Sequence, residues 1–263
     1  MNKQSITLGK WETELLSTLE HNKINEFYFE DAQQILTEVK RQGVRNILSR
    51  LAKKGRIERV KKGVYILVPF KQKLWIQHEF TIAPLLVDNY YLSFWSALKF
   101  WNLTEQLPRK VFVAVKKPVK PRTVQDLEFQ FITLSSKYFF GAEEVEIEGK
   151  TVKIASREKT LLDCLLHPEH CGGIGEVAKA LKFHWKEFKW QKVKKYLSQM
   201  NNSAVERRLL YCLKFLKLSQ VAKILGEKDF KGFRSLDSSN PSQGSYSRKF
   251  GLRLNVDLNE ELK

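Results

Sequence analysis

The stretch from Lys40 to Lys54 constrains this chain more than any other. Its apolar residues are Val44, Ile47, Leu48 and Leu51, the i, i+3, i+4, i+7 spacing that lines one face of an α-helix. A strand sends successive side chains to opposite faces and cannot gather these four together. The opposite arc of the helix carries Gln42, Arg45, Asn46, Ser49, Arg50 and Lys53. Gly55 follows at the place where a left-handed glycine ends a helix. Two β-prone runs come next, Ile57-Glu58-Arg59-Val60 and Val64-Tyr65-Ile66-Leu67, separated by Lys61-Lys62-Gly63. Short strands around a glycine-containing turn predict a hairpin.

Upstream, Trp11, Leu15, Leu16 and Leu19 predict an amphipathic helix over Trp11–Leu19. A polar break at His21 to Asn25 separates it from a second helix near Glu30–Leu36. Glu30 and Asp31 suit the positive end of that helix's dipole, and Ala32, Ile35 and Leu36 form its inner stripe. A short turn at Thr37 to Val39 leads into the basic helix. A basic helix with a hairpin directly behind it is the order of a winged helix-turn-helix domain, which we expect over residues 1–70.

Ten basic residues lie between Lys40 and Lys62, opposed only by Glu58. Such side chains neutralise phosphates and release counterions, which supplies most of the affinity for DNA. The second helix of the pair would lie in the major groove with its N-terminal half toward the bases. The residues expected to contact double-stranded DNA are Lys40, Arg41, Gln42, Arg45, Asn46, Ser49, Arg50, Lys53, Arg59, Lys61 and Lys62. Gln42, Arg45, Asn46 and Ser49 are the group suited to base edges; Lys61 and Lys62 would sit at the wing tip on phosphates.

Pro69 and Lys71 to Lys73 mark a linker. The expected second domain, residues 71–263, is mixed α/β with a helical C-terminal part, so the chain as a whole is α+β. His78 to Val87 reads as helical until Pro84 interrupts or kinks it. Tyr90 to Leu92 is β-prone, and Ser93 is placed to cap a helix running through Trp101. Val111–Val115 and Leu127–Leu134 read as strands. Val145–Ile147 and Val152–Ile154 flank Glu148-Gly149-Lys150 as a hairpin. Ser156, with Glu158 in the first turn, starts a helix that turns Leu161, Leu162, Leu165 and Leu166 inward and ends at Pro168. Further helices are expected near Ile174–Leu181, Lys186–Met200 and Ser203–Leu216. A Ser-, Gly- and Asn-rich loop from Gly232 to Tyr246 follows, then a last strand within Arg253–Leu258.

With 263 residues, 43% of them apolar, the chain is long enough for two domains with real cores. No apolar run reaches the ~20 residues that cross a bilayer. Met1 to Lys10 lacks the apolar stretch of a secretion signal. A cytoplasmic protein with no membrane partner is therefore expected. Cys164, Cys171 and Cys212 do not have the number or spacing of a disulfide framework. The formal charge of +17 suggests a polyanionic partner. The first 70 residues hold thirteen Lys and Arg against eight Asp and Glu, a net of +5, which leaves +12 on the remainder. Its basic clusters are Lys116, Lys117, Lys120 and Arg122, and Lys186, Lys189, Lys192, Lys194 and Lys195.

Three groupings suggest chemistry and each has a plainer reading. Cys164, His167, His170 and Cys171 have the softness for zinc, but Pro168 splits them, and Cys164 beside the leucine stripe reads as a core thiol. Asp126 with Glu148 and Lys150 resembles the acidic-x-Lys set of metal-dependent nucleases, but Glu148-Gly149-Lys150 reads better as a hairpin tip. Gly172-Gly173-Ile174-Gly175 lacks the Lys-Ser/Thr of a P-loop and reads as a helix entry. No catalytic residue, metal ligand or cofactor is expected, and the protein is read as a non-enzyme.

Four blocks of residues carry a resemblance to a known family. They are Leu51-x-x-x-Gly55-x-Ile57 continuing to Arg59-Val60-x-x-Gly63-Val64-Tyr65; Leu92-Ser93-x-x-Ser96-Ala97-Leu98 with Leu103-Thr104-Glu105-Gln106-x-Pro108; Val111-Phe112-Val113-Ala114; and Ala155-Ser156-x-Glu158-Lys159-Thr160-Leu161-Leu162-Asp163. Over most of residues 10–185, their order and spacing are similar to those of the AbiEi antitoxins of type IV toxin–antitoxin systems in bacteria and archaea. The resemblance implies a winged helix that binds promoter repeats and represses its own operon. It also implies a C-terminal domain that assists cooperative DNA binding and counteracts a nucleotidyltransferase toxin, without requiring a stable complex. A dimer on DNA is compatible with that cooperativity. The alternatives are a stand-alone winged-helix regulator with a sensor or oligomerisation domain, and a metal-dependent nucleic-acid enzyme.

Overall fold

The computed structural model describes residues 7–68, 78–226 and 228–263. The chain forms two compact units: Met1–Asp88 with Thr123–Asp126, and Asn89–Arg122 with Leu127–Lys263. The linker expected at Pro69 and Lys71 to Lys73 lies outside the described residues. The architecture is mixed, with helices and three separate sheets.

In the first unit, helices α1 (Lys10–His21), α2 (Phe29–Ile35) and α3 (Arg41–Lys53) accompany strands β1 (Glu26–Tyr28), β2 (Ile57–Lys61) and β3 (Val64–Leu67). The sheet is antiparallel, in the order β1-β3-β2. Leu15, Leu16 and Leu19 of α1, Ala32 of α2, and Val44, Ile47, Leu48 and Leu51 of α3 share one core with Phe27, Ile57 and Leu67. Burying each aliphatic side chain contributes roughly 1.5–3 kcal/mol, so the four-residue stripe decides which face of α3 turns inward. Trp11 is only partly buried, and Glu12 takes a fully packed place beside it.

The expected helix stop is present in detail. Gly55 N donates to Ala52 O at 3.0 Å and Arg56 N to Leu51 O at 2.9 Å, the paired bonds that close a helix C-terminus around a left-handed residue. Gly55 has φ +64° and Gly63, in the hairpin turn, φ +78°; both are conformations that a Cβ disfavours. Pro84 does not interrupt a helix as expected. A 3-10 turn, Glu79–Ile82, runs into α4 (Ala83–Leu86), and Pro84 stands in the first turn of α4, where its missing N–H has no intrahelical acceptor to lose.

The second unit is built on strands β4 (Tyr90–Leu92), β5 (Lys110–Val115), β7 (Leu127–Thr133), β8 (Ala142–Ile147) and β9 (Lys150–Ala155), with β6 (Arg122–Val124) leading into the turn before β7. From β7 the order is β7-β5-β4-β9-β8. β5 runs parallel to β7 and antiparallel to β4; β9 runs parallel to β4 and antiparallel to β8. β8 is an edge strand with exposed Glu143, Glu144 and Glu146, charges that discourage pairing with another chain.

Helices α5 (Phe94–Phe100), α6 (Arg157–Leu166), α7 (Ile174–His184), α8 (Trp190–Met200), α9 (Ser203–Phe215) and α10 (Ser219–Leu225) complete the layer. Leu161, Leu162 and Leu165 of α6 sit in a core shared with Leu181, Val193, Leu209 and Val221. Ser156 caps α6 as expected, accepting from Lys159 N at 3.3 Å. Ser93 stands at the start of α5 but makes no capping bond, because its hydroxyl is drawn to Asp163. The helix expected over Lys186–Met200 is broken. A 3-10 turn at Trp185–Glu187 is followed by extended, buried Phe188 before α8 begins, and the Trp190 indole N–H donates to Trp185 O at 2.9 Å across the break.

The tail is more ordered than its composition suggests. β10 (Arg234–Ser235), β11 (Ser245–Ser247) and β12 (Leu252–Leu254) form a small sheet, and α11 (Leu258–Glu261) replaces the end of the expected last strand. Two buried arginines hold it. Arg207 donates to the carbonyls of Lys231, Gly232 and Gly251, and Arg208 to those of Leu165 and Ser235. Among the described residues, no helix is long and apolar enough to cross a membrane.

Candidate nucleic-acid interface

A cleft of about 1110 Å³ opens between α3 and the β2–β3 hairpin. Arg41, Arg45, Ser49 and Lys53 line one wall, and Arg59, Lys61 and Lys62 line the other. The four residues from α3 recur at intervals of four, which stacks them one above another along the helix. The opposing stripe of Val44, Ile47, Leu48 and Leu51 is buried, so this row is turned outward by the same periodicity. Tyr28, Phe29, Glu30 and Tyr65 also line the cleft.

Phe29 organises the upper end. The guanidinium groups of Arg41 and Arg45 lie 4.6 and 5.8 Å from its ring centroid, within the range of cation–π attraction. Arg41 is also 3.5 Å from Glu30 in an exposed pair. Arg45 Nη1 donates to Gln42 Oε1 and Gln42 Nε2 to Asn46 Oδ1, each at 3.3 Å and exposed. Bonds this long are weak, and a ligand with better-placed donors and acceptors would replace them readily. Lys61 lies 3.5 Å from Asp88. Tyr28 and Phe29 join the cleft without being expected there; two adjacent aromatics before the acidic pair Glu30-Asp31 are the signal that the sequence offers.

Not all the expected contact residues gather here. Gln42 and Asn46 stand beside the cleft on the same helix, and Lys40 is the residue that precedes α3. Arg50 turns away. Its Nε is 2.9 Å from Glu12 Oε1, Lys54 Nζ is 2.5 Å from Glu12 Oε2, and Gly9 N donates to Oε2 at 3.0 Å. Burial pushes the Glu12 carboxyl up, but the bonds from Lys54, the Gly9 amide and Arg50 overcome it and hold the group at about 2. Arg50 and Lys54 therefore tie α3 to α1. Arg56 is buried near Glu20, 4.0 Å away. Glu58, the acidic residue of the run, accepts from Gln125 N at 2.9 Å and does not line the cleft.

The other groupings resolve into structural roles. Cys164 and Cys171 are fully buried. The Cys171 thiol donates to Pro168 O at 3.3 Å, and burial pushes the Cys164 thiol far above its usual range, which disfavours the thiolate a metal needs. Glu148 and Gly149, at φ 50° and 73°, make the tight turn between β8 and β9, and Gln125 and Asp126, at 51° and 60°, the turn before β7. Neither Asp126 nor Glu148 joins a potential metal-binding group among the described residues; the group found there is His167, Glu169 and His170. The Gly172–Gly175 segment enters α7, whose Ile174 N donates to buried Asp237 Oδ2 at 2.6 Å.

The Glu158–Asp163 block is interior, whereas Thr104 is half-buried and Glu105 and Gln106 are exposed. Lys159 and Asp163 are fully buried and ion-paired. Ser93 Oγ, at 2.7 Å, and Tyr91 Oη, at 3.2 Å, donate to the second Asp163 oxygen. Glu158 accepts from Lys189 N and pairs with Lys192, both at 3.0 Å; burial raises its carboxyl, but these bonds bring it below the ordinary carboxylate value. Thr104 Oγ1 donates to Glu176 Oε2 at 2.8 Å. Each of these pairings lies within the second unit.

No family model matches the chain, and no curated protein matches it in sequence. Among solved structures it is similar to the crystal structure of the RV2827C protein from Mycobacterium tuberculosis, with a TM-score of 0.70 at 13% sequence identity, covering 94% of this chain and 92% of that chain. At so low an identity the likeness establishes a shared fold alone.

Proposed function

We propose that the first unit is a winged helix-turn-helix domain that binds double-stranded DNA, with α3 as the reading helix and the β2–β3 hairpin as the wing. The observation that carries this reading is the cleft between them, with Arg41, Arg45 and Lys53 on one wall and Arg59, Lys61 and Lys62 on the other. A helix about 10–12 Å across fits the roughly 12 Å major groove. Gln42, Arg45, Asn46 and Ser49 then meet base edges, while the basic side chains along the cleft flank a phosphate strand. The protein acts in the cytoplasm as a non-enzymatic repressor of its own operon and as an antitoxin that counteracts a nucleotidyltransferase toxin. Repression of its own operon and the antitoxin role both rest on the resemblance to the AbiEi antitoxins, not on the cleft.

The experiment is footprinting and gel shift of the full chain on the region upstream of its own gene. A protected repeat is expected, with the complex weakened in an Arg45→Ala/Asn46→Ala double variant. Unchanged affinity and sequence preference in that variant would overturn the assignment of α3. Co-expression with the neighbouring gene tests the antitoxin role, which fails if a toxic neighbour is not relieved.

A further inference from the structure

In the second unit the chain turns sharply after α6. Pro168–His170 form a single 3-10 turn, which brings His167, Glu169 and His170 together. One donor atom from each of the three lies within 4.8 Å of the others. We propose that these residues form a binding site for one transition-metal dication of the Zn²⁺ or Co²⁺ class, with a coordination position left open toward the neighbouring cavity.

The donor chemistry selects the ion. Two imidazoles and one carboxylate are a three-ligand set that holds zinc while leaving a fourth position for water or another ligand. Ca²⁺ and Mg²⁺ prefer all-oxygen shells. His167 Nδ1 and Glu169 Oε1 are 3.0 Å apart. Two ligand atoms about 2.1 Å from a tetrahedral ion stand roughly 3.4 Å apart, so this pair needs little change to share a metal. Both histidines are half-buried, not sealed in the core.

The surroundings orient the donors. Ser238 Oγ donates to Glu169 Oε2 at 2.9 Å, which fixes the carboxylate and leaves Oε1 facing His167. Outer partners of this kind set ligand orientation in metal sites. The His170 ring packs edge-on against Phe94 at 5.4 Å between centroids and lies 6.0 Å from Phe112; His167 packs edge-on against Phe94 at 6.1 Å.

Glu169 and His170 also border a cavity of about 400 Å³ lined by Trp95, Arg109, Lys110 and Gln130. The Trp95 indole N–H is buried and has no hydrogen-bond partner among the described residues. Arg109 brings positive charge to this space, while Lys110 is paired with Glu128 at 2.8 Å, so the open position suits water or a small anion.

The site departs from the zinc grouping weighed in the sequence, because Glu169 takes the place of both cysteines. The test uses the tag-free full chain stripped of metal and titrated with Co²⁺ and with Zn²⁺. One ion per chain is expected, with the visible bands of low-symmetry Co²⁺ and no sulfur-to-cobalt charge-transfer band. His167→Ala, His170→Ala and the nearly isosteric Glu169→Gln should each weaken binding by more than Ser238→Ala, whose loss falls within the roughly 10–100-fold range of outer partners. Cys164→Ala and Cys171→Ala should leave binding unchanged. Circular dichroism confirms that each variant is folded. Absence of stoichiometric binding overturns the proposal, as does a thiolate band or full affinity in a His167→Ala/His170→Ala double variant.

Discussion

Helices α3 and α6 both mix leucines with charged residues, and they use the charges in opposite ways. In α3 the buried residues are Val44, Ile47, Leu48 and Leu51, while Arg41, Arg45 and Lys53 face a cleft. In α6 the buried residues include Glu158, Lys159, Thr160 and Asp163. Burying Lys159 and Asp163 carries a large desolvation cost that Coulomb attraction offsets only with good supporting bonds. Ser93 and Tyr91 supply them to Asp163, and the rings of Tyr91 and Phe140 lie 5.5 and 5.0 Å from the lysine ammonium. The difference teaches that the surroundings of a charge decide its role. The Glu158–Asp163 segment can bury its charges because the core supplies the bonds that an interior ion pair needs. The exposed face of α3 is built from individually ordinary surface residues.

The contrast can be broken most forcefully in α6. Lys159→Met leaves a buried carboxylate without its cation and should cost about 3–5 kcal/mol in denaturant unfolding. Lys159→Met combined with Asp163→Leu should recover much of that loss, since no uncompensated charge remains. A single variant as stable as the parent would show that the pair does not hold the core together.

On α3 the expected effect moves from stability to binding. Arg45→Ala/Asn46→Ala should change unfolding free energy by no more than about 0.5 kcal/mol, as for other surface sites. It should weaken DNA binding by about 1–3 kcal/mol for each lost base contact, read by gel shift at fixed salt.

Glu12 tests the part of α3 that belongs to the fold. Glu12→Gln should cost about 1–3 kcal/mol near neutral pH. The Glu12 carboxyl sits at about 2 in the folded protein, below its ordinary 4.5. Its contribution is therefore complete above about pH 4.5 and is lost as pH falls toward about 2. The difference between parent and variant should narrow over that window in acid unfolding curves. A gap that stays constant would assign the loss to packing.

The smallest effect is expected at the turn between β2 and β3. Lys62→Ala should leave stability unchanged and make the slope of log affinity against log salt shallower by about 0.9, one phosphate contact's worth. An unchanged slope would remove Lys62 from the interface.

Much of the first unit was legible because its signals are local. The stripe of α3, the Gly55 stop and the Gly63 turn depend on helical period and backbone sterics within a few residues. Arg50 and Arg45 were read alike, because both lie on the outward arc; only the packing of α1 beside Arg50 separates them. Pro84 was read as a break because a proline in an apolar run fits either the end of a helix or its first turn. Ser93 was read as a cap because nothing nearby reveals Asp163, 70 residues later. The ordered tail was hidden because Arg207 and Arg208 reach its carbonyls from a helix that is distant in sequence.

The sequence by itself determined that a basic helix would bury one apolar stripe and be followed by a glycine stop and a hairpin, since 3.6-residue periodicity and left-handed glycine are short-range constraints. Only the tertiary structure decided which charges remain available. It assigns Arg50, Lys54 and Arg56 to partners on α1, lines a cleft with Arg41, Arg45 and Lys53, and seals Lys159 and Asp163 inside under Tyr91 and Ser93. The physical reason is that a charge's role depends on what lies within a few ångströms of it, and those neighbours come from residues far apart in the chain.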